Sequence, residues 1–84
     1  MDARSQVRKY ILENFMFTDD ESSLIDQESL LTKGVIDSVG ALEITQFIEE
    51  TFQIKVKENE MLPENLDSVD NIVAFVSRKH AAGS

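Results

Sequence analysis

The chain has no cysteine or tryptophan, and it contains one proline and three glycines among 84 residues. Without cysteine it forms neither disulfides nor thiolate zinc sites, so packing alone must hold its core. No apolar run approaches the roughly 20 residues that span a bilayer, and no basic-then-apolar segment opens the chain. We therefore expect a cytoplasmic protein without a membrane partner, and a single domain over residues 1–84 that frays at about 1–3 and 80–84.

Positive charge is also scarce. Lys and Arg number 8 against 16 Asp and Glu, so the formal net charge is −8 at pH 7. Such a surface repels phosphate backbones and anionic lipids, which argues against nucleic acid and membranes as partners. A protein with a basic surface is the natural complement. The alternative is that the acidic residues only keep the protein soluble.

Apolar residues recur at helical spacing in three segments of the chain. The first covers residues 2–15, the second 38–52, and the last begins near residue 68. A long polar connection (17–33) joins the first two, and residues 63–66 form a minor helix with proline at its first position. The pattern predicts an all-α fold, a small bundle of three to four helices, and we expect it to be a monomer.

The connections and helix ends carry further expectations. Four aliphatic residues should anchor the long connection to the core, namely Leu24, Ile25, Leu30 and Leu31. Residues 26–31 should form one short helical turn. Arg4 and Arg8 are expected on the solvated face of the first helix. Asp67 or Ser68 should cap the last helix, with Asp70 in the role of a capping-box acid.

The second helix has two distinct faces. Its inner face should consist of Ala41, Ile44, Ile48 and Phe52. Its outer face, called the acidic face below, consists of Val39, Leu42, Glu43, Gln46, Glu49 and Glu50. No Lys or Arg occurs from residue 34 to 54. Acids around exposed aliphatic residues are typical of a surface that docks into a basic groove. An ordinary solvated face with some apolar residues is the alternative.

An enzyme site has little support in the sequence. The only histidine, His80, lies near the end of the chain, so Ser38 has no nearby base to activate it as a nucleophile. No glycine-rich phosphate loop or metal-ligand spacing occurs, and we predict neither catalysis nor a metal site. Ser38 at a helix start either caps the helix or accepts an attached group. Asp37 either caps the helix or serves the modifying enzyme.

Residues 34–39, with the sequence GVIDSV, resemble the Gly-x-Asp-Ser-Leu attachment motif of acyl carrier proteins. The likeness continues through the acids of the second helix, through residues 47–56 and through 66–76. The resemblance implies a stand-alone carrier of that bundle type. Ser38 would bear phosphopantetheine, transferred from coenzyme A by a phosphopantetheinyl transferase that recognises Asp37. The thiol of this arm would hold an acyl group as a thioester.

The same resemblance implies partners and cargo. Acyl-activating ligases or synthases with basic docking surfaces would load the carrier, in fatty-acid, specialised lipid or polyketide synthesis. The acyl chain would lie among residues that are also needed as core: Ile44, Ile48, Leu66, Val69 and Ile72. Val39 and Gly40 make the motif similar to the Asp-Ser-Phe-Gly of D-alanine carriers, so an aminoacyl carrier is an alternative. A non-covalent acidic adaptor, with Ser38 only a cap, is a further one.

Overall fold

The computed structural model describes residues 2–81 and confirms the all-α fold. The helices are α1 (Ala3–Ile11), α2 (Ser38–Phe52), α3 (Pro63–Leu66) and α4 (Val69–Ala81). A π-helical turn, Leu12–Met16, continues α1, and short 3-10 turns cover Glu21–Ser23 and Glu58–Glu60. No strand occurs within residues 2–81. Fraying is expected at both ends, but residue 1 and residues 82–84 lie outside the described part.

The core is a single cluster to which every long helix contributes. Its buried members are Val7, Ile11, Leu12, Leu24, Leu30, Ile36, Ile44, Ile48, Ile54, Leu66, Val69, Ile72, Phe75 and Val76. Helix α1 packs on α4, and α3 packs on both α2 and α4. The start of α2 is therefore flanked by α3 and by the long connection, which leaves the outer side of α2 uncovered.

Helix α1 ends in a wider turn than its apolar spacing predicts. The α-helical hydrogen bonds stop at Ile11, and the π turn ends at Phe17, whose φ of 54° is left-handed. The Thr18 N–H donates to the Leu12 carbonyl at 3.1 Å, which closes this end. Turns of this type are uncommon and often lie beside functional sites. Here the turn brings the Phe15 ring against the start of α2.

The long connection is anchored by two of the four predicted residues. Leu24 and Leu30 are buried, but Ile25 and Leu31 are 50% and 40% exposed, so the prediction was wrong for these two. Leu24 has extended backbone angles, and successive side chains of extended backbone point in opposite directions. When Leu24 enters the core, Ile25 must leave it. Residues 26–31 do not form the expected helical turn: residues 26–27 and 30–31 lie in two separate turns, with a bend at 28 and no regular structure at 29.

Arg4 and Arg8 do not form a merely solvated face, as the sequence suggested. The Arg4 guanidinium bridges the carboxylates of Asp26 and Asp70, and Arg8 pairs with Asp26 and Glu21. Arg8 also donates to the Leu24 carbonyl at 2.8 Å, and only 15% of its side chain is exposed. These arginines tie the long connection to α1 and α4, since they satisfy polar groups that would otherwise be half-buried without partners.

The sequence offered both Asp67 and Ser68 as the cap of α4, and the structure distinguishes them. The Ser68 Oγ accepts a hydrogen bond from the Asn71 N–H at 3.0 Å, so Ser68 is the cap. The Asp67 carboxylate instead accepts from Ser29 Oγ and from the Leu31 N–H. The predicted capping-box role of Asp70 was wrong, because its carboxylate pairs with Arg4.

Candidate functional site at the start of α2

Asp37 is the residue that caps α2. Its Oδ1 accepts a hydrogen bond from the Gly40 N–H at 2.8 Å, and its backbone is extended. Ser38 is the first helical residue and is exposed. Within residues 2–81 the Ser38 hydroxyl has no hydrogen-bond partner, so it contributes nothing to the cap. The hydroxyl therefore stands free beside the N–H groups and positive dipole of a 15-residue helix.

Two concave surfaces flank Ser38. One is a pocket of about 220 Å³ between α2, α3 and the end of the long connection, lined by Leu31, Ile36, Ser38, Ala41, Met61, Leu62, Pro63, Leu66 and Asp67. The other is an open groove on the far side of α2, lined by Phe15, Gly34, Val35, Ile36, Asp37, Val39, Gly40 and Glu43. Neither lining includes a histidine, so neither places a general base at Ser38. The pocket lining is mostly apolar and includes one carboxylate, that of Asp67.

Gly40 lies at a point of close approach between three segments. A Cβ atom at this position would come within 3.0 Å of the Ile36 Cβ and 3.1 Å of the Phe15 Cε1. Contacts of this length are tighter than nine in ten of those that real Cβ atoms make, so a neighbour would have to move by a few tenths of an ångström. Glycine here lets α2 approach both the π turn and the residues that precede Ser38. The lost helix propensity of glycine is thus offset by packing.

The acidic face lies outward as predicted. Val39 is 63% and Leu42 46% exposed, and Glu43, Gln46 and Glu50 are exposed as well. Glu49 differs from the other acids because its Oε2 accepts a hydrogen bond from the Val56 N–H at 2.9 Å. That bond stabilises the segment after α2, so Glu49 has a structural role that its position on the helix did not reveal.

Tyr10 lies close enough to the acidic face to be affected by its negative charge. Tyr10 stacks on Phe47 with ring centroids 4.0 Å apart, and its hydroxyl lies 3.4 Å from the Glu43 carbonyl. Burial raises the pKa of Tyr10, and the nearby charges of Glu43 and Glu50 raise it further. These acids therefore act together as a patch, which is the property that a basic partner surface would recognise.

The predicted acyl-lining residues divide into two groups. Leu66 lines the pocket beside Ser38. The other four, Ile44, Ile48, Val69 and Ile72, are at most 1% exposed and fill the core. An acyl chain would reach them only if α2 and α3 moved apart. Their role as an acyl lining stays a prediction, while their role as core is observed.

Residues 2–81 include the single histidine of the chain. His80 lies exposed in the last turn of α4, where a cation complements the helix dipole. No group of three or more His, Asp or Glu side chains is placed to hold a metal ion in this part of the chain. None of the helices there is long and apolar enough to cross a membrane. The Asp37 Oδ2 has no hydrogen-bond partner among the described residues.

The sequence did not predict the roles of three polar residues. Asp67 lines the pocket and binds the long connection. Lys79 is only 8% exposed and pairs with Glu60, which holds the 3-10 turn before α3. Thr45 is buried on α2 and satisfies its hydroxyl by donating to the Ala41 carbonyl at 2.9 Å. Only Thr45 had a local signal, namely its place between core positions of α2.

Comparison with known proteins decides the family. No protein-family model matches the chain. Three D-alanyl carrier proteins, from Streptococcus pyogenes serotypes M5 (strain Manfredo), M49 (strain NZ131) and M1, are each 35% identical over 78 residues. Each match covers 89% of this chain and 98% of the relative. The chain belongs to the family of small phosphopantetheine-bearing carrier proteins.

Family membership confirms several predictions made from the motif. Carriers of this type bear a covalently attached phosphopantetheine arm, and they partner with a transferase and with ligase or synthase enzymes. The relatives are carrier proteins and not enzymes. The carrier therefore obtains its thiol from the arm, which explains how a chain without cysteine can hold a thioester.

Proposed function

We propose that this carrier bears phosphopantetheine on Ser38 and holds an aminoacyl group, of the D-alanyl kind, as a thioester on that arm. The observation that carries the proposal is the identity of 35% to D-alanyl carrier proteins across almost their whole length. Ser38 is the attachment point because it is exposed, begins α2 and leaves its hydroxyl free. A phosphodiester at this place gains from the helix N–H groups and dipole.

The Asp-Ser-Val-Gly sequence supports the aminoacyl cargo from a second direction. Gly40 lies where a Cβ would be crowded by Ile36 and Phe15, which is consistent with a glycine at this position of the motif. The motif is similar at the same position to the Asp-Ser-Phe-Gly of D-alanine carriers. The aminoacyl interpretation, first an alternative, thus becomes the preferred one, and fatty-acid or polyketide synthesis becomes the second candidate.

The apolar pocket beside Ser38 is what favours the second candidate. Its wall of Ile36, Met61, Leu62 and Leu66 suits a hydrocarbon chain better than a charged amino group. A small aminoacyl group has no need of such a lining. An assay that loads the carrier with each type of cargo distinguishes the two candidates.

We further propose that the acidic face docks a basic surface on the transferase and on the loading ligase. Val39 and Leu42 supply exposed apolar contact, and the surrounding carboxylates supply charge complementarity. Asp37 assists the transferase through its free Oδ2, for instance by contacting a metal ion that the donor phosphates share.

Two steps test the proposed function. The protein is incubated with coenzyme A and a broad-specificity phosphopantetheinyl transferase, and its intact mass is read. We expect a gain of one phosphopantetheine group, absent in Ser38→Ala. The modified protein is then offered D-alanine, L-alanine or a fatty acid with matched ATP-dependent ligases. D-alanyl thioester formation supports the proposal. Loading by the fatty acid alone would favour the second candidate, and a mass gain that survives Ser38→Ala would refute the site.

A further inference from the structure

Asp67 joins the α3–α4 junction to the segment that presents Ser38. Its carboxylate accepts the Ser29 hydroxyl on Oδ2 and the Leu31 N–H on Oδ1 at 2.8 Å. Its own carbonyl accepts the Leu30 N–H at 2.6 Å. Three consecutive residues of the long connection are thus bound to one residue that lies 36 positions from Leu31.

The hydrogen bonds continue from this point toward Ser38. The Leu30 carbonyl accepts from the Val35 N–H at 2.9 Å and from the Ile36 N–H at 3.3 Å. Leu30 and Ile36 are both buried, so these bonds are shielded from water. Ile36 immediately precedes the Asp37 cap. A continuous series of bonds therefore leads from Asp67 through Leu30 to the residues that set the direction of the α2 start.

Asp67 is not needed for either helix end beside it. Ser68 caps α4 through its Oγ, and the Asp67 N–H, not its side chain, closes α3 by donating to the Pro63 carbonyl. Since both carboxylate oxygens are directed at the long connection, the side chain acts on that segment. Asp67 also shares the pocket lining with Ser38, Leu31 and Ile36, which places its effect at the attachment site.

We infer that Asp67 is a positioning residue for attachment at Ser38. It fixes residues 29–36 and so holds the Ser38 hydroxyl where the transferase can reach it. This inference rests on the proposed attachment at Ser38. Loss of the two side-chain bonds would loosen the segment on both sides of Leu30, whose N–H stays bound to the Asp67 carbonyl. A misplacement of a reacting atom by about 1 Å lowers a rate by up to a hundredfold.

The test compares Asp67→Ala with Asp70→Ala in transferase kinetics on the full chain. Asp70 is a matched control because it lies three residues away and its carboxylate pairs with Arg4, not with residues 29–36. We expect Asp67→Ala to lower kcat about tenfold with little change in KM, since the acidic face is intact. Asp70→Ala should leave both parameters near wild type. Equal effects of the two variants would overturn the inference.

Two conservative variants separate positioning from folding. Asp67→Asn retains an acceptor for Leu31 and can donate its amide to Ser29 Oγ, so it should restore most of the rate. Ser29→Ala removes one of the two side-chain bonds to Asp67, together with the bond from the Thr32 N–H to the Ser29 Oγ, and should have an intermediate effect. Amide hydrogen exchange at Val35 and Ile36 should quicken in Asp67→Ala while exchange within α2 stays slow. If Asp67→Ala does not fold, the transferase rates of Asp67→Asn and Ser29→Ala test the inference instead. A normal rate in Ser29→Ala with a low rate in Asp67→Asn would refute positioning through these bonds. A wild-type protein that gains no mass would instead refute the proposed function.

Discussion

Replacing Gly40 by alanine sets two known effects against each other. Alanine is the better helix former by about 0.8–1.0 kcal/mol, which by itself would stabilise α2. The added Cβ would, however, lie 3.0 Å from the Ile36 Cβ and 3.1 Å from the Phe15 Cε1. Overpacking in a well-packed site costs about 1–3 kcal/mol. We expect the second effect to win, with a net loss of about 1 kcal/mol.

The reason is that one of the two contacts cannot relax at little cost. The Phe15 ring edge is the end of a side chain that is only half-buried, so it can turn aside. The Ile36 Cβ is bonded to the backbone of a residue that is 6% exposed. Moving it by a few tenths of an ångström moves the chain that leads directly into Asp37 and Ser38. Gly40→Ala should therefore disturb attachment as well as stability.

Thermal unfolding followed by circular dichroism, together with transferase kinetics, checks this expectation. A loss of about 1 kcal/mol lowers Tm by about 4–8 °C in a domain of this size. Phe15→Leu should recover only the small part of that loss that comes from turning the ring aside. Ile36→Val should recover nothing, since valine keeps both Cβ and Cγ2. Gly40→Ala that is more stable than wild type by about 1 kcal/mol would refute the reasoning.

Two further expectations concern carboxylates with unlike roles. Glu43→Lys should slow attachment and ligase loading at low salt, and both rates should recover at high salt while Tm stays unchanged. Glu49→Lys should have the same effect on the rates and should in addition lower the free energy of unfolding by about 1 kcal/mol, because it loses its bond to the Val56 N–H. Equal rates for Glu43→Lys and wild type at low salt would contradict the docking proposal. The pKa of Glu60 lies below its ordinary value of 4.5, first because the Lys57 N–H donates to it and then because of Lys79. A carboxylate whose pKa is lower in the folded protein than in the unfolded chain stabilises the fold above the unfolded pKa, and this stabilisation is lost as the pH falls through the folded pKa. The urea midpoints of wild type and Glu60→Gln should therefore converge below about pH 4.5. A difference in urea midpoint between the two proteins that is constant from neutral to acid pH would refute the lowered pKa of Glu60.

The parts of the fold that could be predicted are those with local causes. Helix α2 begins and ends where its sequence indicates, at Ser38 and Phe52, because the cap and the apolar stripe lie in the same short segment. Pro63 at the first position of α3 has an equally local reason. The motif of residues 34–39 belongs to this class, because its six residues are consecutive in the chain; together with the likeness through the rest of the chain it indicated the family.

The parts that could not be predicted depend on pairs of residues far apart in the chain. Asp26 and Asp70 are brought together by Arg4, and Asp67 meets Leu31 across 36 positions. A charge in the sequence does not show which opposite charge or N–H group the fold will bring to it. For the same reason the sequence does not show that Lys79, near the end of α4, is buried and pairs with Glu60.

Asp37 and Ser38 have different roles at the start of α2. Both residue types are good helix caps, and the geometry assigns the cap to Asp37 through its bond to the Gly40 N–H. Asp37→Ala should therefore cost about 1 kcal/mol of stability in urea unfolding, whereas Ser38→Ala should stay within about 0.5 kcal/mol of wild type. A serine that caps its helix would have to give up that bond when its oxygen is esterified. Because Asp37 takes the cap, the proposed attachment at Ser38 would leave the cap of α2 intact, and a cap-sized loss in Ser38→Ala would contradict this division.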